Sequence, residues 1–166
     1  MYDSIIPDAL DTEDTLKGKY LTFFLGEECY GIEIRYVIEI IGIQGITEIP
    51  ELPAYIKGII NLRGQIIPVM DMRMRFRRPF KEYNDRTCVV VVVIKNVSLG
   101  LIVDNVADVI DIPDEEIVPP PNAIDTDYRF VKGISKMGGQ IRLLLECEKI
   151  LGEDEAEELV SSINQL

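Results

Sequence analysis

Ile56-Lys57-Gly58-Ile59-Ile60-Asn61-Leu62-Arg63-Gly64-Gln65-Ile66 returns, altered, 75 residues later as Val131-Lys132-Gly133-Ile134-Ser135-Lys136-Met137-Gly138-Gly139-Gln140-Ile141. Both blocks open on an aliphatic residue, Lys and Gly, and both carry a second glycine six positions on. A second pair aligns without a gap at an offset of 69: Gly31-Ile32-Glu33-Ile34-Arg35-Tyr36-Val37-Ile38-Glu39-Ile40-Ile41 over Gly100-Leu101-Ile102-Val103-Asp104-Asn105-Val106-Ala107-Asp108-Val109-Ile110. The six-residue difference between the offsets falls where the later copy has the loop Pro113 to Pro121. Two blocks recurring in the same order predict two copies of one unit.

Working outward, each copy reads as short strands rich in aromatic and β-branched residues and broken by turn residues. In the first copy these are Tyr20–Leu25, Tyr30–Ile34, Val37–Ile43, Ile59–Leu62 and Gln65–Asp71. In the second they are Thr87–Ile94, Leu99–Asp104, Val106–Ile112, Gly133–Met137 and Gln140–Glu146. Arg63-Gly64 is a tight hairpin connection in which glycine supplies the positive φ. Pro68 has no N–H to give a ladder, so its strand is expected at an edge or with a bulge there. Five strands per copy predict a mainly β chain of two small barrels, which close their sheets and hide their edges. The first barrel is expected mainly from residues 19–80 and the second mainly from 84–150. An acidic tail precedes them over residues 1–18. An amphipathic helix follows over 153–166, with Ala156, Leu159, Val160 and Ile163 at helical spacing behind an acidic first turn.

Charge and composition narrow the function. The net charge is −12, from 29 acids and 17 bases. Five acids lie in residues 1–16 and five in 153–166, neither segment carrying a base; without those ten, residues 17–152 hold 19 acids against 17 bases, a net of −2. The tails supply solubility, and the body is judged patch by patch. The longest apolar run, Cys88 to Ile94, is too short to cross a bilayer and suits a buried strand. The N-terminus lacks the basic and apolar regions of a signal peptide, so a cytoplasmic chain is expected. Cys29, Cys88 and Cys147 are widely spaced among apolar residues and read as reduced core thiols.

There is no histidine. That removes Ser-His and Cys-His pairs, HExxH zinc sites and any phospho-accepting His. Gly138-Gly139 lies in a turn between strands and is a poor phosphate cradle. The carboxylate pairs Glu27-Glu28 and Glu115-Glu116 sit in polar turns and read as solvated charge. No catalytic residue, metal ligand or cofactor is expected. The run Met72 to Lys81 holds five bases with interleaved Phe, a composition that also suits a nucleic-acid patch. It reads first as a solvated connector with Met72, Met74 and Phe76 turned inward, and a nucleic-acid-binding barrel protein is the alternative.

The residues Tyr30-Gly31-Ile32-x-Ile34-x-x-Val37-x-Glu39-Ile40-Ile41, then Ile49-Pro50, Pro53-x-Tyr55-Ile56-x-Gly58, and above all Asn61-Leu62-Arg63-Gly64-x-Ile66-Ile67-Pro68-Val69-x-Asp71-x-Arg73, closely resemble the bacterial chemotaxis coupling (CheW) family. Leu101-Ile102-Val103-Asp104-x-Val106-x-Asp108-Val109 and Gly133-Ile134 extend the resemblance over residues 20–151. It implies two intertwined five-stranded SH3-like barrels and a non-catalytic adaptor between chemoreceptor cytoplasmic tips and the histidine kinase CheA. It also implies a monomer when isolated, held in the cytoplasm and recruited to receptor arrays at the inner membrane only through the receptors. Val37, Glu39 and Arg63 are the positions it implies for the receptor groove, with Gly58 and Gly64 shaping the backbone. Ile41, Gly42 and Ile43 on one barrel, and Pro120 and Pro121 in the Pro119 to Pro121 loop on the other, are the implied contacts to the kinase regulatory domain. By period-two alternation Val37 and Glu39 share a strand face opposite Ile38 and Ile40. The basic run departs from the family pattern. A domain cut from a longer kinase or coupling protein is a further alternative, against which Met1 and the terminal helix favour a complete chain.

Overall fold

The computed structural model describes residues 16–121 and 129–165, so the acidic tail expected over 1–18 lies almost wholly outside the described residues. Strands run β1 (Lys19–Leu25), β2 (Glu28–Glu33), β3 (Val37–Gly42), β4 (Ile56–Leu62), β5 (Gln65–Asp71), β6 (Cys88–Ile94), β7 (Val97–Val103), β8 (Asn105–Asp111), β9 (Ile117–Val118), β10 (Val131–Ser135) and β11 (Arg142–Leu145). Helices are α1 (Met72–Arg75), α2 (Cys147–Ile150) and α3 (Glu153–Asn164). Each of the ten expected strands has a counterpart. The two-residue β9 is additional.

The strands form two sheets, ordered β8-β1-β2-β11-β10-β9 and β3-β6-β7-β5-β4. Each sheet therefore draws on both copies, with three of the five strands of one from residues 37–71 and four of the six strands of the other from residues 105–145. Hairpin β1–β2 of the first copy joins β8, β10 and β11 of the second; hairpin β6–β7 of the second joins β3, β4 and β5 of the first. The two copies have exchanged their opening hairpins. A turn of 3-10 helix, Ile34–Tyr36, carries the chain from one sheet to the other.

The repeat is legible in the register. In one sheet β5 runs parallel to β7 with Val69 opposite Gly100; in the other β11 runs parallel to β2 with Leu144 opposite Gly31. These are the same pairing under the two offsets. A Cβ on Gly100 would stand 2.7 Å from Val89 Cγ1 and 2.9 Å from Val69 Cγ1, so the close approach favours glycine there; one on Gly31 would stand 2.9 Å from Leu144 Cδ2, the far end of a side chain that can give way.

Period two explains why Cys88 to Ile94 is apolar throughout. Val90 and Val92 face a cluster between the sheets that includes Phe23, Ile32, Leu101 and Leu159, while Val89 and Val91 face a second cluster with Ile60, Ile67 and Val69. Both faces of β6 are covered. A third cluster, around Tyr20, Ile112 and Leu144, fills the curl of the other sheet. In α3, Ala156 and Leu159 are buried and Ile163 is half-buried, as the helical spacing predicts, but Val160, expected on the same face, is exposed. Glu155 Oε1 accepts from Gly152 N at 3.0 Å, tying down one free donor at the helix start.

Pro68 is not on an edge, since its strand lies between β7 and β4, but the β4–β5 pair carries a bulge one step from it, where Lys57 of β4 is the extra residue. The proline fits because the β7 ladder covers only Val69 to Asp71, just beyond it. Burial pushes the Cys29 and Cys147 thiols up, and none of the three cysteines is in a disulfide. Thiols held protonated in this way make poor nucleophiles.

Candidate functional site

Strands β3 and β4 are the two ends of one sheet, and the barrel exists only where they meet. Backbone bonds of 2.9 Å in both directions join Thr47 to Ile59, and Gln44 Nε2 donates to Asn61 O at 3.2 Å. Gly58 permits the crossing. At its φ of 147° a Cβ would land on the Thr47 carbonyl, 2.8 Å from its carbon and 2.9 Å from Ile46 Cγ2. The other barrel closes at the corresponding place: Gly133 lies under Ile117 and Val118 of β9, and Ile134, the counterpart of Ile59, pairs with Val118.

A third link crosses the first seam, from Arg63 Nη2 to Glu39 Oε1. Arg63 and Gly64 form the two-residue β4–β5 turn with φ values of 50° and 87°, the signs of a type I′ hairpin. Asn61 Oδ1 accepts from Gly64 N at 2.8 Å and fixes the loop. Glycine was expected to carry the positive φ, but Arg63 carries one too. That conformation costs a non-glycine residue about 1–2 kcal/mol. The Glu39 side chain is 13 % exposed and that of Arg63 71 %, so a largely sheltered carboxylate meets a guanidinium open to solvent. Such a pair contributes no more than about 1 kcal/mol.

The second copy shows what the architecture requires. Lys136 to Gly139 turns with Gly138 and Gly139 at φ 68° and 78°, so the counterpart of Arg63 is glycine. Asp108, the counterpart of Glu39, takes its hydrogen bond from Thr22 Oγ1 at 2.6 Å on the neighbouring strand. One seam holds its carboxylate without an arginine; the other uses Arg63.

Val37 does not join this pair. A bulge in β3 sets Val37 opposite Val92 and Glu39 opposite Val91, which point to opposite faces. The expected shared face is thereby corrected. Val37 and Ile40 are buried in the inter-sheet cluster, while Ile38, expected on the face of Ile40, stands out 47 % exposed. Its counterpart Ala107 lies at the bulge of β8, where Leu21 and Phe23 face Val109 and Val106, and is also exposed. Among the implied kinase contacts, Gly42 and Pro121 are exposed and Pro120 is half-buried; Ile41 and Ile43 rest partly on the cluster inside the barrel. Exposed apolar groups on β3 and at the barrel ends, with one pinned arginine, fit protein docking better than chemistry. The exposed Ile38 escaped the sequence reading because a bulge has no signature in apolar alternation.

The basic run is not a solvated connector. Arg73 grips Asp104 with Nε at 2.8 Å and Nη2 at 2.5 Å, and Gly26 N adds 2.7 Å to the same carboxylate. Burial pushes the Asp104 carboxyl up, and these donors outweigh it, leaving its pKa below the ordinary value. Arg75 is buried, donates to Ile150 O at 3.1 and 2.9 Å and to Glu155 at 2.9 Å, and stacks on Tyr55 and Phe130. Arg78 pairs with Glu28 at 2.5 Å. Three of the five bases are spent on internal carboxylates, which removes the nucleic-acid patch. Met72 and Phe76 do turn inward, Phe76 between the rings of Tyr30 and Phe130.

Among the described residues no helix is long and apolar enough to cross a membrane. Comparison with known proteins places this geometry. The family model described as CheW-like domain matches residues 19–155. The chemotaxis protein CheW of Klebsiella aerogenes is 36 % identical over 86 % of each chain, and that of Treponema pallidum 33 % identical over 94 % of this chain and 93 % of its own. The crystal structure of the scaffolding protein TtCheW from Thermoanaerobacter tengcongensis superposes with a TM-score of 0.75 at 38 % identity, covering 83 % of this chain and 94 % of its own. With its paired barrels, exchanged hairpins and Arg63-Gly64 turn, the chain belongs to the CheW-like domain family.

Proposed function

We propose that this chain is a non-catalytic adaptor that couples the cytoplasmic tips of methyl-accepting chemoreceptors to the regulatory domain of the histidine kinase CheA. The observation that carries the receptor side is Arg63, exposed on a strained turn where the other copy manages with glycine. Strain retained at an exposed position points to use. Glu39 orients the guanidinium from below, and Ile38 supplies the exposed apolar contact on β3 that a helical hairpin would bury. Gly58 and Gly64 hold the seam and the turn. Ile41 to Ile43 and the Pro120-Pro121 loop serve as the two kinase-facing edges. They are not repeat counterparts, so the two contacts differ in chemistry, a useful property in a linker that must not pair with itself.

The test is a pull-down with an isolated receptor tip and, separately, the kinase regulatory domain. Binding to both is expected; no binding to either at about tens of micromolar sinks the assignment. Replacing Arg63 is expected to weaken the receptor arm and leave the kinase arm intact.

A further inference from the structure

The repeat assigns a role to a cavity that the adaptor function does not use. About 320 Å³ lies open between β2, β11 and the segment after α1, floored by Tyr30, Phe76, Phe130, Leu143 and Leu145. Its counterpart under the two offsets is the seat of α3. Tyr55 and Ile56, which border α3 beside Glu155 and Leu159, correspond to Phe130 and Val131; Leu151 corresponds to Phe76; Val97, beside Ala156 and Val160, corresponds to Glu28. The short helices α1 and α2 also coincide, since Met72–Arg75 shifted by 75 is Cys147–Ile150. One barrel thus has this seat covered by an acidic amphipathic segment; the other leaves the corresponding shelf open. Tyr30, Phe130 and Leu145 are almost wholly buried in its floor, Phe76 and Leu143 are half-exposed, and Glu28 stands where the covered seat has Val97.

The rim of the open shelf is basic. The side chain of Arg77, on a backbone held at φ 61°, makes no hydrogen bond or ion pair among the described residues. Arg129 lies 4.4 Å over the Phe130 ring and likewise has no carboxylate partner among them. Arg78, by contrast, is already neutralised by Glu28. The occupant required is therefore an acidic segment with apolar residues.

We propose that this cavity is the docking site of the chain's own N-terminal segment, residues 1–15, which would set Ile5, Ile6 and Leu10 on the apolar floor and its carboxylates on Arg77 and Arg129. The segment carries five acids and no base. It leaves the described chain at Leu16, which packs against the same inter-sheet cluster that contains Tyr30, Phe130 and Leu145. Fifteen residues span up to about 50 Å when extended, so reach is not limiting. Tethering supplies an effective concentration on the order of millimolar, enough for a weak contact to be occupied. The segment would play for one barrel the part α3 plays for the other, and its release would expose a shelf fit for a partner's acidic helix.

A nitroxide on Asp11→Cys in the full chain tests this, the three native cysteines being buried. Broadening of the Val131, Leu143 and Leu145 methyl signals is expected at low salt. It should fall by more than half in the Arg77→Glu, Arg129→Glu variant, and also at about 1 M salt, where the screening length drops to about 3 Å. No broadening in the parent chain overturns the proposal. So does broadening found only when a nitroxide-bearing chain is mixed with an isotope-labelled chain, which would assign the shelf to a second copy. Full broadening that survives both charge reversal and salt overturns the electrostatic part of the docking.

Discussion

Arg63 concentrates the question of structure against use. Its left-handed backbone costs about 1–2 kcal/mol, and its pairing with Glu39 returns no more than about 1 kcal/mol. The Arg63→Gly variant, which copies Gly138 of the second repeat, is therefore expected to unfold in denaturant within about 1 kcal/mol of the parent while losing receptor affinity. Loss of several kcal/mol in that measurement would make Arg63 a structural residue. Gly58 behaves in the opposite way. A methyl group there meets the Thr47 carbonyl at a φ side chains rarely adopt, so Gly58→Ala is expected to lower stability by about 3 kcal/mol or more, visible as an earlier denaturation midpoint. Both glycine positions were legible in the sequence because the second copy repeats them. Arg63 stood out for the complementary reason, that the second copy omits it.

At the scale of elements, α3 and α1 are joined through Arg75, Glu155 and Tyr55. Leu159 is fully packed and Val160 is not. Leu159→Ala is expected to cost about 2–3 kcal/mol and Val160→Ala no more than about 0.5 kcal/mol, compared by thermal unfolding. Burial pushes the Glu155 carboxyl up, but the Tyr55 hydroxyl, the Gly152 N–H and Arg75 outweigh it, so its pKa, like that of Asp104, lies below the ordinary value. The stability these two groups contribute is present above the unfolded carboxylate value of about 4 and is lost as pH falls through their lower folded values. Unfolding free energy should therefore decline between about pH 5 and pH 3, and Asp104→Asn with Glu155→Gln should flatten that slope. The apolar spacing of α3 and the alternation of most strands could be read directly. The face of Glu39 could not, because a single extra residue at Ile38 reverses it, and bulges follow from pairing. Arg73, Arg75 and Arg78 read as solvated for a similar reason, since their carboxylates lie 31 to 80 residues away in sequence from a run that looks self-contained.

For the whole molecule, duplication was evident from two offsets, but exchange of the opening hairpins was not. Either pairing of hairpin β1–β2 satisfies the same apolar pattern, and which copy it joins is settled by the path of the chain through Ile34–Tyr36 into β3. The exchange has a mechanical consequence. Neither barrel can form without strands from both halves, so unfolding by denaturant is expected as one cooperative transition, coincident by circular dichroism and by fluorescence of the tyrosines in either barrel; two separated transitions would contradict it. A rigid two-barrel body with distinct faces is the physical form a chemotaxis coupling adaptor needs, because partners held on different barrels stay in fixed relation. The most direct measurement is sedimentation of CheA with receptor-bearing membranes in the presence of the parent chain or of Arg63→Gly. The parent chain should carry the kinase down and the folded variant should do so at least about tenfold less well. Kinase recovery that is equal with either chain, or equal without any, would contradict the account.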